Sequence, residues 1–164
     1  MGGSGWNPNP DEDLPSALRS QSEENSPRLG HHILVVEDNE ADVFLIGEAI
    51  ISAQLPVSVH VVRNGEQAIR FLDQANDIPH APCPDLVILD INLPRRSGFE
   101  VLKRIRRSAK CGNAHVIAVS SSDSESDRQR MAELGAGGYF RKPSEYSDFM
   151  KLGEIVKRLL TCPS

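Results

Sequence analysis

Leu86-Val87-Ile88-Leu89-Asp90, followed at once by Ile91-Asn92-Leu93-Pro94-Arg95-Arg96-Ser97-Gly98, is the stretch on which the reading of this chain turns. Four consecutive apolar residues suit a strand covered on both faces, as in a parallel sheet flanked by helices. The run stops on a carboxylate and breaks into a turn containing Pro and Gly. Asp90 is therefore predicted at the C-terminal mouth of a buried strand, where open α/β sheets collect their ligands. A nucleophile or a metal ligand suits that position, and so does an aspartate that merely starts a turn.

Two other strand ends carry complementary groups. The run Ile33-Leu34-Val35-Val36 ends in Glu37-Asp38, and Gly138-Tyr139-Phe140-Arg141 leads into Lys142-Pro143. Short apolar runs alternate with helical patterns from His31 onward. Strands are predicted at 32–36, 57–63, 85–90, 115–119 and 138–141, with helices at 39–53, 65–75, 98–109, 124–134 and 145–160. Five such units in a row imply a parallel sheet with right-handed crossovers. Ser122-Asp123-Ser124-Glu125 has capping-box spacing, Gly135 follows the last apolar residue of that helix, and Phe149, Leu152, Ile155, Val156 and Leu159 give the final helix a core-facing stripe.

Composition narrows the class. The chain has 164 residues and a formal net charge of -5, which suits one globular domain with a tail. Residues 1–30 are rich in Gly, Pro, Ser and Asn and are expected to be disordered; residues 31–164 form the domain. No run approaches the roughly eighteen apolar residues of a membrane span, and no apolar segment of secretory type opens the chain, so a cytoplasmic location is expected. The tail carries most of the negative charge and the remainder is close to neutral, which argues against general nucleic-acid binding. The cysteines Cys83, Cys111 and Cys162 are far apart without Cys-x-x-Cys spacing and are expected to be reduced. The cluster Lys103-Arg104-Ile105-Arg106-Arg107, with Lys110 beyond it, reads as a solvated helix face or a docking surface for an acidic partner. The five histidines have no metal-ligand spacing.

Taken together, Glu37-Asp38 after the first strand, Asp90 after the third, Ser120 after the fourth and Lys142-Pro143 after the fifth resemble the receiver domain of two-component response regulators. The resemblance covers about Ile33 to Leu160. It implies a flavodoxin-like (βα)5 doubly wound parallel sheet of strand order 2-1-3-4-5, with the acids meeting at the switch point between strands one and three. The stretches Asp90 to Glu100 and Lys142 to Tyr146 look most like the single-domain regulators served by phytochrome-type sensor histidine kinases.

The resemblance implies a phosphoacceptor switch rather than a turnover enzyme. Asp90 is then the residue phosphorylated by a histidine kinase. Mg²⁺ is the implied cofactor, held by Asp38, Asp90, the backbone carbonyl of Asn92 and Glu37. Lys142 is implied to pair with Asp90 at rest and with a phosphoryl oxygen afterwards, and its peptide bond to Pro143 is implied to be cis. Ser120 is implied to donate to the phosphoryl group and, with Tyr139 as the aromatic switch, to change the protein-binding surface. The implied partners are the kinase and a downstream target or phosphotransfer protein; a homodimer is a further expectation, and nucleic acid and membrane are not expected.

Other classes fit less well. A degenerate receiver acting as a constitutive interaction or dimerisation module would keep the fold without the chemistry. A haloacid-dehalogenase-type phosphatase also uses a strand-end Asp and Mg²⁺, but it places a second Asp two residues on, where this chain has Asn92. A flavodoxin-like electron carrier would meet Glu37-Asp38-Asn39-Glu40 where a flavin phosphate needs hydroxyls and glycines, and no G-x-x-x-x-G-K-[ST] occurs for a P-loop.

Overall fold

In the computed structural model, which describes residues 30–161, the predicted strands are β1 (His31–Val36), β2 (Val57–Val62), β3 (Leu86–Asp90), β4 (His115–Ser120) and β5 (Gly138–Arg141). They pair in parallel in the order β2-β1-β3-β4-β5. The helices are α1 (Glu40–Ser52), α2 (Gly65–Asp77), α3 (Gly98–Arg107), α4 (Glu125–Glu133), α5 (Tyr146–Phe149) and α6 (Lys151–Thr161). The doubly wound fold and strand order expected from the sequence are those observed.

Strand alternation sorts the core into two layers. Ile33, Val35, Ile88 and Ile117 pack with Val43, Ile46 and Ile50 of α1 and with Phe149, Leu152 and Val156 of α5 and α6. Leu34, Val36, Leu89 and Ala118 face the other way, against Leu72 of α2, Leu102 and Ile105 of α3 and Met131 of α4. Each layer is continuous, and burying a side chain of this size is worth about 1.5–3 kcal/mol. All five residues of β3 are buried, as its uninterrupted apolar run requires.

Side chains start the helices where the backbone amides have no partner within the helix. Asn39, Asn64 and Ser97 accept from the amides of Asp42, Gln67 and Glu100 respectively. For α4 the cap is Ser124, which accepts from the Asp127 amide at 3.2 Å, rather than the Ser122–Glu125 pair predicted. Ser122 Oγ instead accepts from the Ser124 amide at 3.1 Å, so its hydroxyl shapes the loop before the helix. Gly135 ends α4 at φ 101°, a left-handed conformation that suits glycine.

Three expectations need correction. The final helix is divided at Met150 into α5 and α6. It comes so close to α1 that a Cβ on Gly153 would lie 2.4 Å from the Ala49 carbonyl oxygen, and the Gly153 amide donates to Met150 O three residues back.

Cys83 and Cys111 form a disulfide, with Cα atoms 5.3 Å apart. Their separation of 28 residues along the chain hid the fact that the loop before β3 and the turn after α3 share one edge of the sheet. Cys162 lies outside the described residues, as does the tail of 1–29.

The basic cluster is largely tied to the protein itself. Arg104 pairs with Asp73, Arg106 donates to the carbonyls of Gly112, Ala114 and Gly135, and Lys110 donates to four carbonyls of the segment 75–81. Only Lys103 and Arg107 of the group keep the exposed, unoccupied look of a solvated face.

Candidate acidic functional site

Register brings the strand ends together. Val36 pairs with Leu89, so the next residues, Glu37 and Asp90, arrive level at the C-terminal edge. Asp90 is opposite Val119 on its other side, which sets Ser120 one residue beyond it. On the far side of β4, Ser120 pairs with Arg141, and the Lys142 amide donates to Ser120 O at 2.8 Å. The backbone therefore delivers Glu37, Asp38, Asp90, Ser120 and Lys142 to one cleft from four different strands.

Carboxylate oxygens of Glu37, Asp38 and Asp90 lie within 4.8 Å of one another, Glu37 and Asp90 buried and Asp38 exposed. The Asp90 carboxylate is oriented through both oxygens. Oδ1 accepts from the Asn92 amide at 3.0 Å, and Oδ2 is 3.3 Å from Lys142 Nζ. The turn beneath it is tight: a Cβ on Gly98 would stand 2.6 Å from Asp90 O. Only glycine lets α3 begin there without moving the Asp90 backbone.

Lys142 Nζ is the hub, 2.9 Å from Glu37 Oε1 and 2.8 Å from Asp42 Oδ2 as well. Asp42 was not among the residues singled out from the sequence. It stands in the first turn of α1, where acids are ordinary complements to the helix dipole, and nothing local marks it as a partner of a residue 100 positions away. The two contacts to Glu37 and Asp42 are shorter than the one to Asp90.

The charge balance is visible in the protonation equilibria. Burial pushes the Glu37 carboxyl up to about 8; the contact with Lys142 opposes the rise and the neighbouring Asp90 charge adds to it. Burial alone would lower the pKa of Lys142. Its hydrogen bond to Asp42 and its close ion pair with Glu37, with the charge of Asp90, outweigh that and hold it above the ordinary lysine value. A cluster whose buried carboxylate resists ionisation next to a lysine is short of positive charge. Oxygen donors of this kind fit a hard divalent cation.

Ser120 is fully buried, and its Oγ accepts from the Ser122 amide at 3.0 Å. That bond uses a lone pair and leaves the hydroxyl proton available for donation. Tyr139 is half-buried on the α4 side of the sheet, with its hydroxyl donating to Ser122 O at 3.0 Å. The guanidinium of Arg128 lies 4.4 Å from the Tyr139 ring centroid. Ser120 and Tyr139 are thus joined through Ser122. Pro143 corrects an expectation: no cis peptide bond occurs among the described residues, and the Lys142–Pro143 bond is trans, the isomer X-Pro bonds favour intrinsically.

Comparison with known proteins agrees with this geometry. Residues 33–153 match the model of the response regulator receiver domain. The chain belongs to the response regulator receiver family. Response regulator Rcp1 of Synechocystis sp. (strain ATCC 27184 / PCC 6803 / Kazusa) is 32% identical over 82% of this chain and 90% of its own length. The phosphorylated cyanobacterial phytochrome response regulator RcpA superposes with a TM-score of 0.73 at 32% identity, covering 82% of this chain and 97% of RcpA. The Mn²⁺-bound form of Rcp1 gives 0.71 at 29% identity with the same coverage. Receiver domains are signalling switches that bind Mg²⁺ at the acidic pocket and act with histidine kinases and downstream targets. The donor set of Glu37, Asp38 and Asp90 in this receiver fits that ion.

Proposed function

We propose that this receiver accepts a phosphoryl group on Asp90 from a phosphohistidine of a sensor kinase and thereby changes the surface it offers to a protein partner. The observation that carries the reading is the convergence of Lys142, Glu37 and Asp38 on Asp90 at the C-terminal edge of the sheet. A carboxylate is a weak nucleophile, so positioning and charge neutralisation must do most of the catalysis. One Asp90 oxygen bonds to phosphorus as the phosphorus–nitrogen bond breaks, and the imidazole leaves with the pair of electrons. Asp38, Asp90, the Asn92 carbonyl and Glu37 are the groups that would hold Mg²⁺, which when bound would neutralise charge on the phosphoryl oxygens.

Lys142 has its ammonium beside Asp90 before the reaction and moves its hydrogen bond to a phosphoryl oxygen afterwards. Asp42 and Glu37 keep that ammonium charged and aimed into the cleft. The Ser120 hydroxyl donates to the phosphoryl group, and its movement is passed through Ser122 to Tyr139 and the start of α4. This biases a two-state surface by a local charge event.

Likeness to the cyanobacterial phytochrome response regulator RcpA supports a place downstream of a phytochrome-type kinase, and a cytoplasmic location belongs to the same proposal. No helix among the described residues is long and apolar enough to cross a membrane. A homodimer formed on the responsive surface fits the same reading.

The test is intact-mass and peptide mapping after treatment with acetyl phosphate, with and without Mg²⁺. One hydroxylamine-sensitive phosphoryl group on Asp90 is expected, dependent on Mg²⁺ and absent in Asp90→Asn. Uptake by Asp90→Asn at the wild-type rate would show that the acceptor lies elsewhere. No uptake by either protein would identify a degenerate receiver that acts through its shape alone.

A further inference from the structure

The Cys83–Cys111 disulfide lies at the edge of the sheet opposite the acidic cleft, and it is not the sole tie between the segments it joins. Lys110 Nζ donates to the carbonyls of Ala75, Ile78, Pro79 and Ala81 at 2.8, 2.9, 3.3 and 2.7 Å. Asn76 Oδ1 accepts from Ser108 Oγ at 3.1 Å and from the Lys110 amide at 3.3 Å. Ser108 Oγ in turn accepts from the Cys111 amide at 2.9 Å. The turn 108–111 thus grips the end of α2 and the loop after it by hydrogen bonds whether or not the sulfurs are joined.

The two cysteines differ in exposure. Cys111 is buried, 2% exposed, whereas Cys83 is half-buried in the loop before β3. Both line an open cavity of about 390 Å³, shared with His31, Lys110, Asn113 and Leu159. A small thiol can enter a space of that size. A disulfide that a thiol can reach, in a segment held by other bonds, can open without releasing the segment. Disulfides with that property tend to be reversible and regulatory rather than permanent staples.

We propose that Cys83–Cys111 is a thiol-responsive modification site, opened at Cys83 by low-molecular-weight thiols while the fold persists. A thiolate attacks Cys83 Sγ; the sulfur–sulfur bond breaks with its electron pair passing to Cys111 Sγ, which takes a proton from water. A second thiolate attacks the outer sulfur of the mixed disulfide and releases Cys83 as a thiolate. Two external thiols are oxidised to one disulfide, and the protein pair is reduced by two electrons. The reverse sequence, driven by the oxidised small-molecule disulfide, closes the bond again.

The experiment uses the full chain carrying Cys162→Ser, so that every thiol counted belongs to the pair. The oxidised protein is treated under native conditions with millimolar glutathione, quenched with acid and mapped by peptide mass. Glutathione is expected on Cys83 and not on Cys111. On full reduction the circular dichroism is expected to stay native while the melting temperature falls by about 5–10 °C. In a Lys110→Met background the same reduction is expected to cost several degrees more, because the two ties support one segment.

Four outcomes overturn the proposal. They are two free thiols in the air-oxidised protein, an adduct on Cys111 or none on the native protein, loss of the native circular dichroism on reduction, or an equal shift with and without Lys110.

Discussion

Lys142 and Lys110 stand at opposite edges of the same sheet, and their partners differ in kind. Lys142 has carboxylates of Glu37, Asp42 and Asp90 within 3.3 Å. Lys110 has four backbone carbonyls within the same distance. Carbonyl dipoles are part of the main chain; they neither titrate nor change partners without unfolding. Carboxylates carry full charges that an arriving cation or anion can redistribute. An ammonium among dipoles is therefore a structural fastener, while one among competing acids is poised to exchange.

The largest effect expected from breaking this contrast is at Lys142. Lys142→Met should lower the initial rate of phosphoryl uptake from acetyl phosphate about 100-fold or more. It should also destabilise the Mg²⁺-free protein by about 3 kcal/mol in urea, because three acids lose their shared cation. Added Mg²⁺ should restore part of that stability and little of the rate. Unchanged uptake would reduce Lys142 to the same class as Lys110.

Lys110→Met sharpens the contrast from the other side. Its hydrogen bonds stabilise the loop before β3 but touch no reacting atom. Uptake should stay within about two-fold of wild type while stability drops by about 1 kcal/mol, measured by urea unfolding with the disulfide intact. A large loss of uptake would mean that the two edges are coupled through β3.

A smaller effect concerns His60, packed between two rings: its centroid is 6.1 Å from that of His32 and 5.3 Å from that of Phe71. Burial, with the nearby His32 adding to it, lowers its pKa from the ordinary 6.5. At this group the unfolded chain binds more protons than the native protein from about pH 6.5 down to the lowered native pKa, so its contribution to stability falls as the pH drops through that window and is level above it. The slope from this group is at most about 1.4 kcal/mol per pH unit. Between pH 6.5 and pH 4.5 the raised Glu37 contributes a slope of opposite sign in both proteins, so His60→Phe should show a smaller fall, or a larger rise, in urea midpoint than wild type over that range. A fall of unchanged steepness would assign the acid sensitivity elsewhere.

Much of this was legible in the chain because β1, β3 and β4 are covered on both faces. Such strands need unbroken apolar runs, so a change to Glu37-Asp38, Asp90 or Ser120 marks their ends sharply. Asp42 gave no such signal, since an acid in a first helical turn has an ordinary local explanation. The role of Lys110 was hidden for the same reason: it continues a basic helix pattern, and only the path of the loop before β3 turns four carbonyls toward it. The disulfide could not be read from spacing, because nothing local indicates that a loop and a turn 28 residues apart share an edge.

Residue type and period by themselves determined the order of strands and helices, the parallel sheet and the charged groups at the strand mouths. Those properties depend on how each short segment buries its own apolar face. Tertiary structure alone decided which carboxylates hold Lys142, which carbonyls hold Lys110, that Cys83 meets Cys111, and that the last helix divides at Met150. Ionic, hydrogen-bond and covalent contacts form only within a few ångströms, and separations between distant segments are set by register and crossover rather than by position along the chain.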